Sequence, residues 1–281
     1  MIMKFCKDEA DIYIPDGCKN GLERTTDLCV GAHQDDVEIM AYAPISACYD
    51  NPDRHFTAVI VTDGAGSPRN GAFADCTDDD MKKIRVGEQK KAADVGKYSA
   101  LVLLGYKSSE VKDKYDIRPV NELSEILLTA KPKNVYIHSF ADKHDTHVAS
   151  ALRTLCALRA IRNEYKPEKL YMLEAWRAHD WLCNEDKILL DASKYPDLAK
   201  KLLDVFESQV AGGKRYDLAA IGRRYANATF FESHSTDDMS AVTYALDATE
   251  LIGNDKSPEE FMKTYIDKFR NEVSQRLSRL G

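Results

Sequence analysis

The sequence has no apolar run that approaches the roughly 20 residues of a membrane-spanning helix, and Met1 to Glu9 lack the hydrophobic segment of a secretion signal. It also lacks a positive charge balance, and the net charge of −7 disfavours non-specific binding to nucleic acid or to an anionic membrane. The seven cysteines form no CxxC pair and no even set, which favours reduced thiols over a disulfide framework. We therefore expect a cytoplasmic protein with no nucleic-acid partner and no membrane insertion.

The glycine signatures of nucleotide-binding proteins are missing as well. The loop Asp63-Gly64-Ala65-Gly66-Ser67 contains neither GxGxxG nor GK[ST], so an active-site turn is favoured over a phosphate cradle, with Asp63 as a candidate substrate contact. No internal repeat and no Pro/Ser-rich linker divides the 281 residues. We interpret the chain as a single domain, 1–281, with a core at about 26–192 and a C-terminal extension at about 193–281 that contributes substrate-side loops.

Segments typical of strands alternate with segments typical of helices over the first two thirds of the chain. Phe56 to Thr62 is largely β-branched and apolar, whereas Thr77 to Tyr98 begins with an N-cap residue and three aspartates that suit a helix N-terminus. The patterns predict strands at about 26–32, 56–62, 100–105, 134–138, 169–175 and 187–190, and helices at about 37–50, 77–98, 120–130, 148–163, 198–209 and 257–280. This alternation indicates an α/β, Rossmann-like fold with a mainly parallel sheet and helices on both faces.

Two polar clusters follow two of the predicted strands at the point where each strand ends. His33, Asp35 and Asp36 follow the first strand, and His144 and His147 follow the fourth. Because the carboxyl ends of parallel strands share one edge of a sheet, the two clusters can meet there. Two histidines and one carboxylate complete a zinc shell with room for water, and a second carboxylate can then remain free as a base.

The motifs resemble those of the PIG-L/LmbE-like N-acetylglucosaminyl deacetylases. Ala32-His33-Gln34-Asp35-Asp36-Val37-Glu38 is similar to the AHPDDxE motif of that family, and the segment 144–147 is similar to its HPDH motif. Between them, Val61-Thr62-Asp63-Gly64 and the segment 85–92 occupy the places of its T-x-G loop and its RxxE helix. The resemblance extends over roughly residues 27–159.

The resemblance implies an LmbE-like fold and a zinc-dependent amide hydrolase whose metal ligands would be His33, Asp36 and His147. Asp35 would be the general base, and His144 would stabilise the tetrahedral intermediate or protonate the leaving amine. Arg85 is a candidate substrate contact, and a pairing with Glu88 on its own helix is the alternative. Iron can occupy the same ligand set in place of zinc.

Two positions depart from the family motifs. Gln34 replaces the usual proline, which would stiffen the turn without binding metal, so we expect the geometry of the turn to survive. Thr146 replaces the aspartate of HPDH, while Asp145 takes the place of its proline. If that aspartate orients His144 in the family, Asp142 is the residue that can substitute for it.

Basic and aromatic residues outside the motifs are further candidates for substrate contact. Arg215 and Arg223, together with neighbouring basic residues of the segment 212–225, would form an anion site, or would simply be a solvated face. Trp176 and Trp181 would stack on a sugar ring or belong to the core. His138, at the end of the fourth strand, would support the metal ligands or be a buried structural histidine.

We therefore expect a zinc-dependent hydrolase that deacetylates an N-acetylglucosamine-type amino sugar or its small-molecule conjugate. The alternatives are an amidase that cleaves a thiol-sugar conjugate, and a non-catalytic metal-containing carbohydrate-binding protein. Asp35 disfavours the binding protein, because a structural metal site needs no spare carboxylate base. The amphipathic C-terminal helix at about 257–280 is compatible with a homo-oligomer.

Overall fold

The computed structural model describes residues 3–211 and 213–281. Gly212, at the start of the basic segment discussed above, and Met1 and Ile2 lie outside the described residues. The strands within the described ranges are β1 (Asp11–Tyr13), β2 (Asp27–Gly31), β3 (Phe56–Thr62), β4 (Ala100–Tyr106), β5 (Asn134–His138), β6 (Lys169–Leu173), β7 (Ile188–Asp191) and β8 (Val242–Asp247). They form one sheet in the order β1-β4-β3-β2-β5-β6-β8-β7.

The five central strands, from β4 to β6, run parallel. At one edge β1 pairs antiparallel with β4, and at the other β8 pairs antiparallel with both β6 and the edge strand β7. From β2 the chain proceeds outward through β3 to β4, and it then returns to the other side of β2 to form β5 and β6. This reversal makes the carboxyl ends of β2 and β5 the topological switch point, where ligands bind in open α/β sheets. Both predicted polar clusters follow these two strands, so the topology brings them to the same place.

Alternate residues of the central strands enter two different hydrophobic cores. In β2, Leu28 and Val30 pack into one core, and Cys29 packs into the other. Successive side chains of a strand point to opposite faces, so the near-continuous apolar strands imply helices on both sides of the sheet. The structure has this arrangement and confirms the α/β fold with helices on both faces.

Each of the six predicted helical segments contains helix, but the segments at 37–50 and 198–209 are each divided in two, and the helices at 108–112, 216–230 and 250–253 were not predicted. Those in the described ranges are α1 (Asp36–Met40), α2 (Tyr42–Cys48), α3 (Asp78–Val95), α4 (Ser108–Lys112), α5 (Arg118–Ala130), α6 (Asp145–Ile161), α7 (Pro196–Asp204), α8 (Glu207–Ala211), α9 (Tyr216–Phe230), α10 (Glu250–Gly253) and α11 (Pro258–Leu280). The predicted helix at 37–50 is divided at Ala41, whose backbone is not helical. Helix α6 begins at Asp145, three residues before the predicted start, with His144 as its N-cap. No helix in these ranges is long and apolar enough to cross a lipid bilayer.

The last third of the chain contributes a strand to the interior of the sheet. Strand β8 lies between β6 and β7 and pairs antiparallel with both, although the sequence analysis assigned no strand to this segment. Five of its six residues are buried. The segment 193–281 therefore provides part of the sheet in addition to loops, because β8 separates two strands that come from the core proposed at 26–192.

The buried carboxylate of Asp27, at the start of β2, connects β2 to β5 and to the segment before β3 by hydrogen bonds. Asp27 accepts hydrogen bonds from Arg54 at 2.8 and 3.2 Å, from the Asn134 amide at 3.0 Å and from the Tyr136 hydroxyl at 2.9 Å. Burial by itself would raise the pKa of Asp27, but the hydrogen bonds from Arg54 and its other partners lower this pKa below the usual value. The charged carboxylate is thus the form that the folded protein stabilises.

Replacing Asp27 by Ala is expected to lower the free energy of unfolding by about 3 kcal/mol, because Tyr136 and Arg54 would lose a buried acceptor. Since the pKa of Asp27 is lower in the folded state, its contribution to stability is complete above the unfolded pKa of about 3.9 and is lost as the pH falls further. Urea titrations at pH 7 and pH 3 test both points. If Asp27→Ala lowered the free energy of unfolding equally at the two pH values, the stabilising form of Asp27 would not be the charged carboxylate.

Candidate metal centre

The turn after β2 places Asp35 in an unusual backbone conformation. Asp35 has φ of 86°, in the left-handed region that a non-glycine residue rarely adopts. Its N–H donates to the side-chain oxygen of Gln89 at 3.2 Å, and its carboxylate accepts from Arg85 at 3.0 Å. Gly31 allows the tight exit from the strand, because a Cβ there would lie 2.8 Å from Val37. Asp35 is therefore buried, its backbone is fixed by the hydrogen bond to Gln89, and its carboxylate is fixed by the hydrogen bond from Arg85.

His33, Asp36 and His147 have donor atoms that all lie within 4.8 Å of one another. The Asp36 carboxylate lies 3.2 Å from Nε2 of His147 and 3.3 Å from Nδ1 of His33, and it also accepts the backbone N–H of His33 at 2.7 Å. Two imidazoles and a carboxylate are the donor set of many three-ligand zinc sites. The residues present therefore fit a divalent transition metal.

A second set of donors shares His147 with the first and consists of His138, Asp142 and His147. His138 and Asp142 do not line the cavity that contains the first set, and Nε2 of His138 accepts the Ala32 N–H at 3.0 Å. A catalytic metal needs a coordination position open to substrate, which favours the set that faces the cavity. His138 and Asp142 are better placed to support the ligands from behind.

The two adjacent carboxylates, Asp35 and Asp36, lie in different electrostatic surroundings. Burial would raise the pKa of Asp36, but the imidazoles of His147 and His138 hold this pKa well below its usual range. Burial raises the pKa of Asp35 to about 6, even though the nearby guanidinium of Arg85 acts to lower it. A permanently charged carboxylate suits a metal ligand, whereas one that titrates near neutrality suits a general base.

The Asp142 carboxylate lies beside the ring of His147, and not beside the ring of His144 as expected. The carboxylate lies 3.5 Å from Nδ1 of His147, and it contacts His144 only through the His144 backbone N–H, at 3.0 Å. Nδ1 of His144 instead accepts the backbone N–H of Thr146 at 3.3 Å. With Nδ1 as an acceptor, neutral His144 carries its proton on Nε2 and can donate it. Thr146, which replaces the family aspartate, thus fixes the tautomer of His144 through its backbone N–H.

Arg85 is bound to carboxylates of the protein, as the alternative interpretation of this residue expected. Its guanidinium donates to Glu88 at 2.9 Å and to Asp35 at 3.0 Å, and it also donates to the Gln34 carbonyl. Ser208 of α8 in turn donates to Glu88 through both its N–H and its hydroxyl, at 2.7 and 2.8 Å. Arg85 lines the cavity, but these contacts make it first a residue that positions Asp35.

The metal ligands, Asp35 and His144 line one cavity of about 380 Å³. It is also lined by Trp176 and Tyr216, whose rings meet edge to face with centroids 6.1 Å apart, and by Lys214, whose ammonium lies 5.3 Å from the Trp176 ring. Trp176 is exposed, as a stacking platform must be, whereas Trp181 packs against the core. The cavity is therefore lined both by the polar residues of the metal centre and by an aromatic pair.

Three of the predicted substrate contacts lie outside this cavity. Asp63 faces a neighbouring cavity and lies 3.4 Å from Lys82. Arg215 makes a bidentate pair with Asp217 at 2.7 and 2.9 Å, and Arg223 donates to the carbonyl of Ala175. Both arginines donate hydrogen bonds to local partners, and neither lines the cavity of the metal centre. The structure therefore does not support an anion site built from Arg215 and Arg223.

Three contacts of the site had no signal that sequence analysis could use. Gln34 donates through its side-chain amide to the Thr62 carbonyl at 3.1 Å, which ties the turn to the end of β3 where the family has proline. Gly64, with φ of +75°, makes room there, since a Cβ would lie 2.4 Å from the Gln34 side-chain oxygen. Gln89 is near Asp35 only after α3 folds across the sheet, and Ser208 comes 120 residues after Glu88. Contacts between residues so far apart in the sequence leave no motif that could predict them.

Comparison with solved structures identifies chains with the same fold. One is 4-carboxy-2-hydroxymuconate hydratase from Pseudomonas putida, with 17% identity and a TM-score of 0.62 over 80% of this chain and 96% of that chain. A conserved protein from Thermus thermophilus has 16% identity and a TM-score of 0.64 over 80% and 94%. N,N'-diacetylchitobiose deacetylase from Pyrococcus horikoshii has 14% identity and a TM-score of 0.58 over 82% and 86%. At these identities the likeness shows the fold alone.

Family membership follows from the sequence. Comparison with curated protein sequences gives no match. Residues 28–179 match a family model described as PIG-L: GlcNAc-PI de-N-acetylase, and the match includes both polar clusters and the α3 segment between them. Because this match covers more than half of the 281 residues, the chain belongs to the PIG-L de-N-acetylase family.

Proposed function

We propose that the protein is a zinc-dependent N-deacetylase that acts on an N-acetylglucosamine-type amino sugar or on a small-molecule conjugate of one. The observation that carries this proposal is one cavity lined by a two-histidine, one-carboxylate donor set and by Asp35, a buried carboxylate outside that set. The fold does not decide the reaction, because a hydratase and a deacetylase both share it. Family membership and the free carboxylate favour hydrolysis of an amide.

His33, Asp36 and His147 would hold the metal, which when bound supplies Lewis-acid polarisation of the amide carbonyl and lowers the pKa of water. Asp35 accepts the proton of the attacking water, and Arg85 and Gln89 fix its orientation. Each of these roles is a proposal for this chain.

His144, Trp176 and Tyr216 also line the cavity and would contact the substrate directly. His144 carries its proton on Nε2 and donates a hydrogen bond to the oxygen on which negative charge develops, or a proton to the leaving nitrogen. Trp176 and Tyr216 form a wall on which the apolar face of a pyranose can stack. The cavity volume of about 380 Å³ is in the range of pockets for small ligands.

The proposal is tested by metal content together with hydrolysis. We expect about one zinc per chain, with iron as the alternative metal, and chelator-sensitive release of acetate and free amine from N-acetylglucosamine or its glycosides. Cleavage of a thiol-sugar conjugate without acetate release would favour the amidase. Sugar binding without hydrolysis of either the acetylated sugars or the thiol-sugar conjugate would favour the carbohydrate-binding protein. A chain that binds no metal after reconstitution would rule out this site.

Replacing Trp176 by Ala is expected to raise KM by about tenfold with little change in kcat, because a stacking face is worth about 1.4 kcal/mol and binds ground state and transition state alike. Phe230→Ala is the matched control, since Phe230 is an exposed aromatic residue outside the cavity. Steady-state kinetics on the best substrate of the panel measures both variants. An unchanged KM for Trp176→Ala would remove the aromatic wall from the substrate site.

A further inference from the structure

Helix α11 extends beyond the body of the protein. It begins with a capping box between Ser257 and Glu260, and its first turn buries Phe261 and Met262 against the core. Contacts with the body continue as far as Glu272, which accepts a hydrogen bond from the Cys183 thiol at 3.3 Å. Every residue from 274 to 280 is exposed. The last two turns of the helix are therefore solvated on all sides in the single chain.

Large apolar side chains form a stripe along this exposed helix. The exposed fractions are 51% for Ile266, 40% for Phe269, 68% for Leu277 and 76% for Leu280, with the half-buried Val273 at the centre of the stripe. At about 100° per residue, the other four side chains all lie within about 40° of Val273 around the helix axis. An apolar stripe of this width on one face is typical of a helix that packs against another helix.

The spacing of the stripe is the same in both directions. The steps between its residues are three, four, four and three positions. An antiparallel copy related by a two-fold axis at Val273 therefore places Ile266 against Leu280 of the partner subunit, and Phe269 against Leu277 of the partner subunit. We propose that α11 is a homodimer interface, in which two copies of this helix pair in antiparallel orientation about Val273.

The charges beside the stripe fit this arrangement. Glu272 and Arg276 lie on the same flank, and in the single chain they pair within the helix. The two-fold axis brings Glu272 close to Arg276 of the partner subunit on that flank, because their sequence positions are nearly symmetric about 273. The net charge of −7 disfavours the alternative that the stripe lies on an anionic membrane. The interface is independent of the proposed activity.

Light scattering coupled to size-exclusion chromatography tests the dimer on the full chain. At concentrations of tens of micromolar, we expect twice the chain mass of 31.6 kDa, and Leu277→Glu should return the mass to that of one chain. Asn271→Glu is the matched control, since it adds the same charge on the opposite face of the same helix, and it should remain dimeric. Leu277 is exposed in the single chain, so the circular dichroism of its variant should remain that of the folded protein.

The register is tested by a single cysteine at the two-fold axis. In a chain with Cys6 and Cys156 replaced by Ser, because both are exposed, Val273→Cys should form a disulfide-linked dimer under mild oxidation. Gln275→Cys, on the far face, should cross-link at least tenfold less. A protein that is monomeric at 200 µM would overturn the proposal, as would a dimer unaffected by Leu277→Glu. Binding of anionic phospholipid vesicles by a monomer would assign the stripe to a membrane instead.

Discussion

Asp35→Asn is expected to lower kcat by about 10²- to 10⁴-fold while the protein keeps its metal, because an amide cannot accept the proton of the attacking water. Asparagine is the appropriate replacement, since it tolerates the left-handed backbone conformation that Asp35 adopts with φ of 86°. It also retains an oxygen that can accept a hydrogen bond from Arg85. The measurements are kcat with saturating substrate and metal content by mass spectrometry.

The matched control for this variant is Asp63→Asn. Asp63 is also a buried carboxylate after a parallel strand, but it faces the neighbouring cavity beside Lys82. We expect less than about a threefold change in kcat for this variant, because Asp63 does not line the cavity that contains the metal ligands. Normal turnover by Asp35→Asn would disprove the assignment of the base. A large loss of activity in Asp63→Asn would instead return Asp63 to the list of substrate contacts.

The parts of the fold that sequence analysis could predict are those with local signals. Strands β3 and β5 begin and end at the predicted residues, and Thr77 caps α3 through its side chain as its residue type suggests. The meeting of the two polar clusters followed from topology, since strand exits of a parallel sheet share one edge. These features depend on residues close in sequence or on a general rule of chain connection.

The parts that could not be predicted depend on contacts between distant segments. The residues of β8 have the composition of a strand and end at Asp247, a local signal that the sequence analysis did not use, but the place of β8 between β6 and β7 is set by packing. The ion pair of Arg215 with Asp217 could have been foreseen, because the two residues are separated by one position. The assignment of Asp142 to His147 could not, because that choice depends on how α6 begins.

The position of Asp142 leads to an expectation about metal affinity. Its carboxylate lies 3.5 Å from Nδ1 of His147, its other oxygen accepts the backbone N–H of Trp176 at 3.0 Å, and Asp142 does not line the cavity. Carboxylates in this position hold the ligand imidazole in one tautomer and raise its basicity. Replacing such a carboxylate weakens metal binding by about 10- to 100-fold in general.

His147→Ala is expected to lose metal altogether, because it removes a donor shared by both candidate sets and leaves two ligands in the cavity. We expect zinc content to fall from about one per chain to below about a tenth, and activity to fall with it. Asp142→Asn should show the intermediate affinity loss, measured by competition with a zinc chelator, whereas Asp145→Asn, an exposed carboxylate on the same turn, should bind zinc normally. Full zinc occupancy in His147→Ala would exclude His147 as a ligand. Equal losses in Asp142→Asn and Asp145→Asn would show that charge near the helix terminus, and not orientation of His147, supports the metal.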